Sequence, residues 1–278
     1  TTGITGSTYT LGQADVGKTS TVLATYTDAY DTAESVTSAA TGPVANVNDL
    51  PTGGVTISGT AAEDQVLTAS DTLADEDGLG TITYTWYADG SSTGITGSTY
   101  TLGQADVGKT FTVVATYTDA QGTPESVTRA ATAAVANVND LPTGAVTISG
   151  TAAEDQTLTA SDTLADEDGL GTITYTWYAN GSSTGITGST YTLGQADVGK
   201  TFTVVATYTD AHGTAETVTS AATAAVANVN DLPTGAVTIS GTAAEDQLLT
   251  ASDTLADEDG LGPITYTWYA NGSSTGIT

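Results

Sequence analysis

The chain has 278 residues with no cysteine, no methionine and one histidine, and 32 acidic against 4 basic residues give a formal net charge of −28. That charge excludes a nucleic-acid-binding surface, which needs clustered lysine and arginine, and anionic membranes would repel it. Without cysteine there are no disulfide staples and no soft-metal sites, and no apolar run approaches the ~18 residues of a membrane helix, so no membrane insertion is expected.

A repeat organises the rest. The nonapeptide Ala-Asn-Val-Asn-Asp-Leu-Pro-Thr-Gly occupies 45–53, 136–144 and 227–235, 91 residues apart both times. Self-similarity at a fixed period marks a tandem array. Residues 1–49 read as the second half of a β-sandwich repeat, 50–140 and 141–231 as complete repeats, and 232–278 as a first half. The complete repeats differ only at Gly54/Ala145, Val66/Thr157, Asp89/Asn180, Gln121/His212, Pro124/Ala215, Ser126/Thr217 and Arg129/Ser220.

Within a repeat the apolar period is two, with valine, isoleucine, threonine and tyrosine enriched and a turn every 8 to 12 residues, the pattern of an all-β sandwich. In the second complete repeat Val146 and Ile148 mark a first strand, and Leu158 and Ala160 a second. The acidic turn 165–171 follows. Ile173, Tyr175 and Trp177 form the clearest strand, ended by Asn180-Gly181, a type I′ hairpin signal. Short strands are expected near Ile186 and at Tyr191 to Leu193, then at most one helical turn at 194–198 and a corner at Asp197-Val198-Gly199. Phe202, Val204, Ala206 and Tyr208 alternate in a long strand, and 216–227 reads as the last. The expected inward set is Val146, Ile148, Leu158, Leu164, Ile173, Tyr175, Trp177, Tyr191, Leu193, Phe202, Val204, Tyr208, Val218 and Val226.

The acids are clustered rather than scattered. Asp75-Glu76-Asp77-Gly78 and its copies at 166–169 and 257–260 place three carboxylates before a glycine. Holding like charges together costs energy unless a cation or solvent compensates. One reading is a calcium (Ca2+) loop with Asp75, Asp77, Asp166, Asp168, Asp257 and Asp259 as ligands and the central glutamate pointing away. The other is a solvated acidic turn. The linker supplies further oxygen donors in Asn139, Asp140, Asn230 and Asp231, and the proline stiffens it. Glu154 and its copies Glu63 and Glu245 precede the second strand and can complete such a site. Asp119 and Asp210, closing the long strand, can reach the linker. One histidine and no repeated Ser/His/Asp constellation leave no basis for an enzyme.

The order of strands, with Trp177 central and an Asp-Val-Gly corner before the long aromatic strand, resembles an immunoglobulin-like sandwich, without its cysteines and with Phe202 at the corner-tyrosine position. Asn-Val-Asn-Asp-Leu-Pro, Asp166-Glu167-Asp168-Gly169 and Glu154 are similar to the calcium-binding linker, Asp-x-Asp segment and early glutamate of cadherin-like repeats. Asn137 and Asn228 replace the first linker acid. Together these features resemble the tandem extender repeats of large bacterial surface adhesins of the RTX type. The resemblance implies an extracellular or cell-surface structural spacer in cell adhesion, stiffened by calcium at its linkers, with neighbouring repeats or chains of the same protein as head-to-tail partners. The rival expectation is a subunit of an extracellular filament or sheath. Since 278 equals three periods plus five residues, each half-repeat is expected to complete a sandwich with material outside this chain, Trp268 packing on the Tyr9 and Leu11 strand of the next copy.

Overall fold

The computed structural model describes residues 3–277; Thr1, Thr2 and Thr278, the outermost residues assigned to the half-repeats, lie outside the described residues. The chain forms two compact units, Thr1–Val138 and Asn139–Thr278, each built around one complete repeat and carrying one half-repeat. Among the described residues all regular structure is β-strand, apart from the 3-10 turns Gln13–Asp15, Gln104–Asp106 and Gln195–Asp197. No helix among them is long and apolar enough to cross a membrane.

In the second unit Val146–Ser149, Thr157–Asp162 and Thr190–Thr192 form a three-stranded sheet, and Ser182–Thr187, Thr174–Ala179, Phe202–Thr209 and Ala215–Thr219 form a four-stranded one, in those orders. Every pairing is antiparallel. The first unit repeats the arrangement with Val55–Ser58, Val66–Asp71 and Thr99–Thr101, and with Ser91–Thr96, Thr83–Ala88, Phe111–Thr118 and Pro124–Thr128. Period-two alternation sends Phe202, Val204, Ala206 and Tyr208 inward, because successive side chains of a strand point to opposite faces.

The whole expected inward set joins one core cluster, to which Ala160, Ala179 and Ala206 are added. Trp177 is fully buried, and its indole N–H donates to the Gly188 carbonyl at 2.9 Å. Tyr191 lies between the Trp177 and Phe202 rings, with centroids 5.7 and 4.9 Å away and tilted planes, a favourable aromatic geometry. The Asn180-Gly181 turn has φ of 47° and 78°, the two positive values a type I′ turn requires. In the sister repeat Asp89 and Gly90 have 45° and 79°. Asn180 Oδ1 and Asp89 Oδ1 accept the N–H groups of Thr201 and Thr110, which precede the neighbouring long strands, both at 2.9 Å, so this exchange keeps the same bond.

The last strand is shorter than expected: it spans Ala215–Thr219, not 216–227. Beyond it, hydroxyls take over acceptor positions of the ladder. Ser220 Oγ accepts the Val204 N–H and Thr223 Oγ1 the Phe202 N–H, both at 3.0 Å. The segment therefore runs beside the long strand without regular pairing, then crosses to a parallel bridge between Ala227 and Ala153. That crossing delivers the linker to the end of the sandwich.

Candidate metal centre

The linker at 227–235 lies wholly within the second unit and is bonded to both flanking repeats. On one side Glu154 N donates to the Ala227 carbonyl at 2.9 Å. Asp155 reverses the chain directly after Glu154 with φ of 58°, a left-handed conformation that aspartate tolerates. Glu154 is left only 2% exposed, and its Oε2 accepts the Val229 N–H at 3.3 Å. Gln195, in the 3-10 turn, reaches the same carboxylate. Turned to donate, its amide nitrogen is 2.8 Å from Glu154 Oε2 and 3.3 Å from Asn228 Oδ1; turned the other way, its carbonyl joins these oxygens.

On the other side stands the acidic turn. Asp257 Oδ1 accepts the Asp259 N–H at 3.0 Å, and the Asp257 carbonyl accepts the Gly260 N–H. This self-capped turn aims Asp259 at the linker: its Oδ2 accepts the Asp231 N–H at 2.9 Å and its Oδ1 the Asn228 amide at 2.7 Å. Carboxylate oxygens of Glu154, Asp231 and Glu258 all lie within 4.8 Å of one another. Glu258 is a correction to the sequence expectation, which had the central glutamate of each acidic turn pointing away. Asp257 and Asp259 also shape the turn and hold the linker backbone, with carboxylate lone pairs left over for a cation.

These environments separate the acids. Donation from the Asp231 N–H, then from the Asn228 side chain, lowers the Asp259 pKa. Burial, reinforced by the negative charges of Asp231, Asp155 and Asp259, raises that of Glu154 despite the Val229 N–H. A carboxylate that is desolvated among like charges is stabilised by a cation. Lys109 and Lys200 pair with Asp106 and Asp197, not with the linker acids.

The first unit presents the linker at 45–53. Asp77, 2% exposed, accepts the Asp49 N–H at 2.8 Å and the Gln13 amide at 2.7 Å. Its own N–H donates to Asp75 Oδ1 at 2.8 Å. Asn48 donates its amide to Glu125 at 2.8 Å. The second unit repeats this at the start of its complete repeat, where Asp168 Oδ2 accepts the Asp140 N–H at 2.8 Å, Asp166 Oδ1 accepts the Asp168 N–H at 2.9 Å and Asn139 donates to Glu216 at 2.9 Å. Asn230 turns its amide to the Asp231 carbonyl at 2.8 Å.

Two further residues belong to this end of the repeat. Asp210 Oδ1 accepts the His212 and Thr214 N–H groups, both at 2.8 Å, while its Oδ2 is buried without a hydrogen-bond partner. Burial pushes its pKa up, but the Thr214 and His212 N–H groups outweigh that and the net shift is downward. Tyr208 donates its hydroxyl to Asp166; burial, then that bond and the charges of Asp166, Glu216 and Asp210, raise its pKa well above the ordinary tyrosine value. Gly171 lets the acidic turn lie against the long strand, since a Cβ there would stand 2.0 Å from the Thr209 carbonyl oxygen.

The donors suit a hard divalent cation. Every available group is a carboxylate or amide oxygen, the ligand class of calcium. Buried oxygens without a hydrogen-bond partner occur at Asn46 Oδ1 and Asn137 Oδ1 of the linkers and at Asp119 Oδ2 and Asp210 Oδ2, where buried polar atoms are ordinarily satisfied. Gln195, Glu216 and Glu258 were not expected at the site. Gln195 sits in a Gly-Gln-Ala-Asp-Val-Gly stretch repeated at 12–17, 103–108 and 194–199, which reads as a corner alone because its reach to Glu154 depends on how the sheets close.

No family model matches the chain, and no curated protein matches it. Two of the solved structures similar to the chain are bacterial adhesins. One is a calcium-stabilised adhesin that helps an Antarctic bacterium reach out and bind ice, with 20% identity over 82% of this chain and a TM-score of 0.30; the chain spans 61% of it. The other concerns host cell surface retention of a 1.5-MDa bacterial ice-binding adhesin, with 20% identity, 78% of this chain, 76% of the other and a TM-score of 0.28.

Proposed function

We propose that the chain is a run of structural extender repeats from a large extracellular bacterial surface protein, and that calcium at the inter-repeat linkers stiffens the array. The observation that carries this reading is the oxygen cluster at 227–235, where Glu154, 2% exposed, meets Asp231 and Glu258 from the linker and the following repeat. A cation held there ties together three segments otherwise joined by a short peptide. Glu154, Asp231, Glu258 and Asp259 are the proposed ligands, with Gln195 and Asn228 as neutral donors. Asp49, Asp75, Asp77 and Asp119 at the linker 45–53, and Asn139, Asp140, Asp166, Asp168 and Asp210 at the linker 136–144, are the donors that the linker and the repeat after it offer. The ion would supply charge compensation and cross-linking, not catalysis. Strand-built repeats that bury their cores separately suit a spacer, because nearest-neighbour arrays extend by adding units.

Isothermal titration with calcium, followed by the same titration after Glu154→Gln and Asp259→Asn, tests the reading. Saturable binding that loses stoichiometry in the variant supports it. No calcium heat, or unchanged stoichiometry, removes the metal from the account.

A further inference from the structure

Each complete repeat turns a buried tyrosine hydroxyl onto its acidic turn. Tyr208 is 5% exposed and its ring belongs to the core cluster, while its hydroxyl donates to Asp166 Oδ2. Tyr117 is placed alike in the sister repeat and donates to Asp75 Oδ2. Phenylalanine would fill the same core space, so the hydroxyl serves the carboxylate and not the packing. Asp166 is thereby held at both oxygens, since its Oδ1 accepts the Asp168 N–H at 2.9 Å. Each oxygen keeps a lone pair for a further partner.

The same strand supplies a second acid. Tyr208 and Asp210 are both buried and Thr209 between them is exposed, so alternation sends the hydroxyl and the carboxylate to one side. Ala211 N donates to the Asp168 carbonyl at 3.2 Å, which fastens the turn after Asp210 to the acidic turn. Asp210 is 6% exposed, and its Oδ2 is buried without a hydrogen-bond partner. Asp119 repeats both features at 5% exposure. A buried carboxylate oxygen in that state is costly unless a cation compensates it. We propose that Tyr208 and Tyr117 are positioning residues for a cation at this end of each complete repeat, their hydroxyls holding Asp166 and Asp75 in one orientation before the ion arrives. The inference rests on the calcium reading above and adds to it the residues that order the site in advance. A neutral hydroxyl suits this role better than lysine or arginine, because it orients the carboxylate without neutralising it. Anchoring the ring in the core removes its freedom before binding, and a ligand ordered in advance costs less to bind.

The repeats contain their own control. Tyr175 and Tyr84 also donate their hydroxyls to aspartates, Asp162 and Asp71, which are not among the proposed donors. Calorimetric titration of the full chain with calcium chloride therefore compares wild type, Tyr117→Phe with Tyr208→Phe, and Tyr84→Phe with Tyr175→Phe. The first pair should weaken calcium binding at the linkers 45–53 and 136–144 by about 10- to 100-fold, the usual cost of losing a group that orients a metal ligand. The control pair should bind as wild type does. A second readout is tyrosine absorption at constant neutral pH. Calcium should shift the near-ultraviolet tyrosine band of wild type and of the control pair, because the ion draws on the acceptor of the hydroxyl, and the shift should vanish in Tyr117→Phe with Tyr208→Phe. No calcium binding by wild type would overturn the calcium reading and this inference with it. Wild-type affinity in Tyr117→Phe with Tyr208→Phe, or equal weakening in the two pairs, would leave that reading standing and overturn the positioning role. Should the first pair fail to fold in chelator, the wild-type spectrum decides, and calcium binding without a tyrosine shift overturns the proposal.

Discussion

Replacing Trp177 by alanine examines the sandwich at its centre. The side chain is fully buried and packs on Tyr191, whose ring centroid is 5.7 Å away. Truncating a buried tryptophan costs about 3 to 5 kcal/mol through lost transfer energy and the cavity left behind. The Gly188 carbonyl also loses the indole donor at 2.9 Å, worth about 1 kcal/mol, so the upper part of that range is expected. A domain has only about 5 to 15 kcal/mol in total, and a repeat of this size shifts by about 4 to 8 °C per kcal/mol. The midpoint of the altered repeat should fall by about 15 to 40 °C. Urea and thermal unfolding followed by circular dichroism would measure it, with Tyr178→Ala as the control on the opposite, half-buried face. A loss below about 1 kcal/mol for Trp177→Ala, or an equal loss for Tyr178→Ala, would mean that the inward phase of this strand has been misread.

Calcium at about a hundred times its dissociation constant should stabilise each occupied site by about 2.7 kcal/mol, or about 10 to 20 °C; identical melting with calcium and with chelator would refute this. Glu154→Gln should stabilise the metal-free protein near neutral pH and reduce the calcium increment. The folded-state pKa of Glu154 lies above its ordinary 4.5, so the stability this carboxyl contributes is full below that value and is lost as pH rises through the raised one. A variant less stable than wild type in chelator at neutral pH would contradict that sign. Burial, then the bond to Asp162 and its charge, push Tyr175 up from 10.0 to about 12. Its contribution to stability is therefore present below pH 10.0 and lost towards about 12, and Tyr175→Phe should flatten the alkaline loss measured by urea midpoints across that window.

The fold was legible because its strongest signals are local. Alternation along Phe202–Thr209 and Thr174–Ala179 sets which side chains face the core, and a pleated backbone leaves no other phase that buries Trp177, Phe202 and Val204 together. The positive φ of Asn180 and Gly181 follows from two residues read alone. Ala160 and Ala206 escaped because alanine adds little to any hydrophobic pattern, although a close-packed interior needs small residues opposite large ones. The early end of the last strand escaped for another reason. Threonine and alanine suit an extended chain, and nothing in 220–227 announces that Ser220 and Thr223 will use their hydroxyls as acceptors for the neighbouring strand.

The acidic cluster at the linker was legible as a composition and not as a geometry. Asp231, Glu154 and the 257–260 turn are distant in sequence, and the fold brings carboxylates from all three within 4.8 Å of one another. Which carboxylate faces which depends on backbone bonds that no spacing rule shows. Asp259 accepts the Asp231 N–H and the Asn228 amide, and Asp257 the Asp259 N–H. Glu258, the member of the triplet expected to face solvent, is the one whose carboxylate lies near Glu154 and Asp231. The division has a physical logic. Short aspartate side chains suit bonds to nearby backbone, as in Asx turns, while the longer glutamate can reach across to the partner segment. On this account Glu258→Asp, which keeps the charge but shortens the reach, should weaken calcium binding at this linker nearly as much as Glu258→Gln while leaving metal-free melting unchanged. Titration calorimetry on the two variants decides it: calcium affinity at the wild-type level in Glu258→Asp would show that charge alone, and not the reach of Glu258, makes the site.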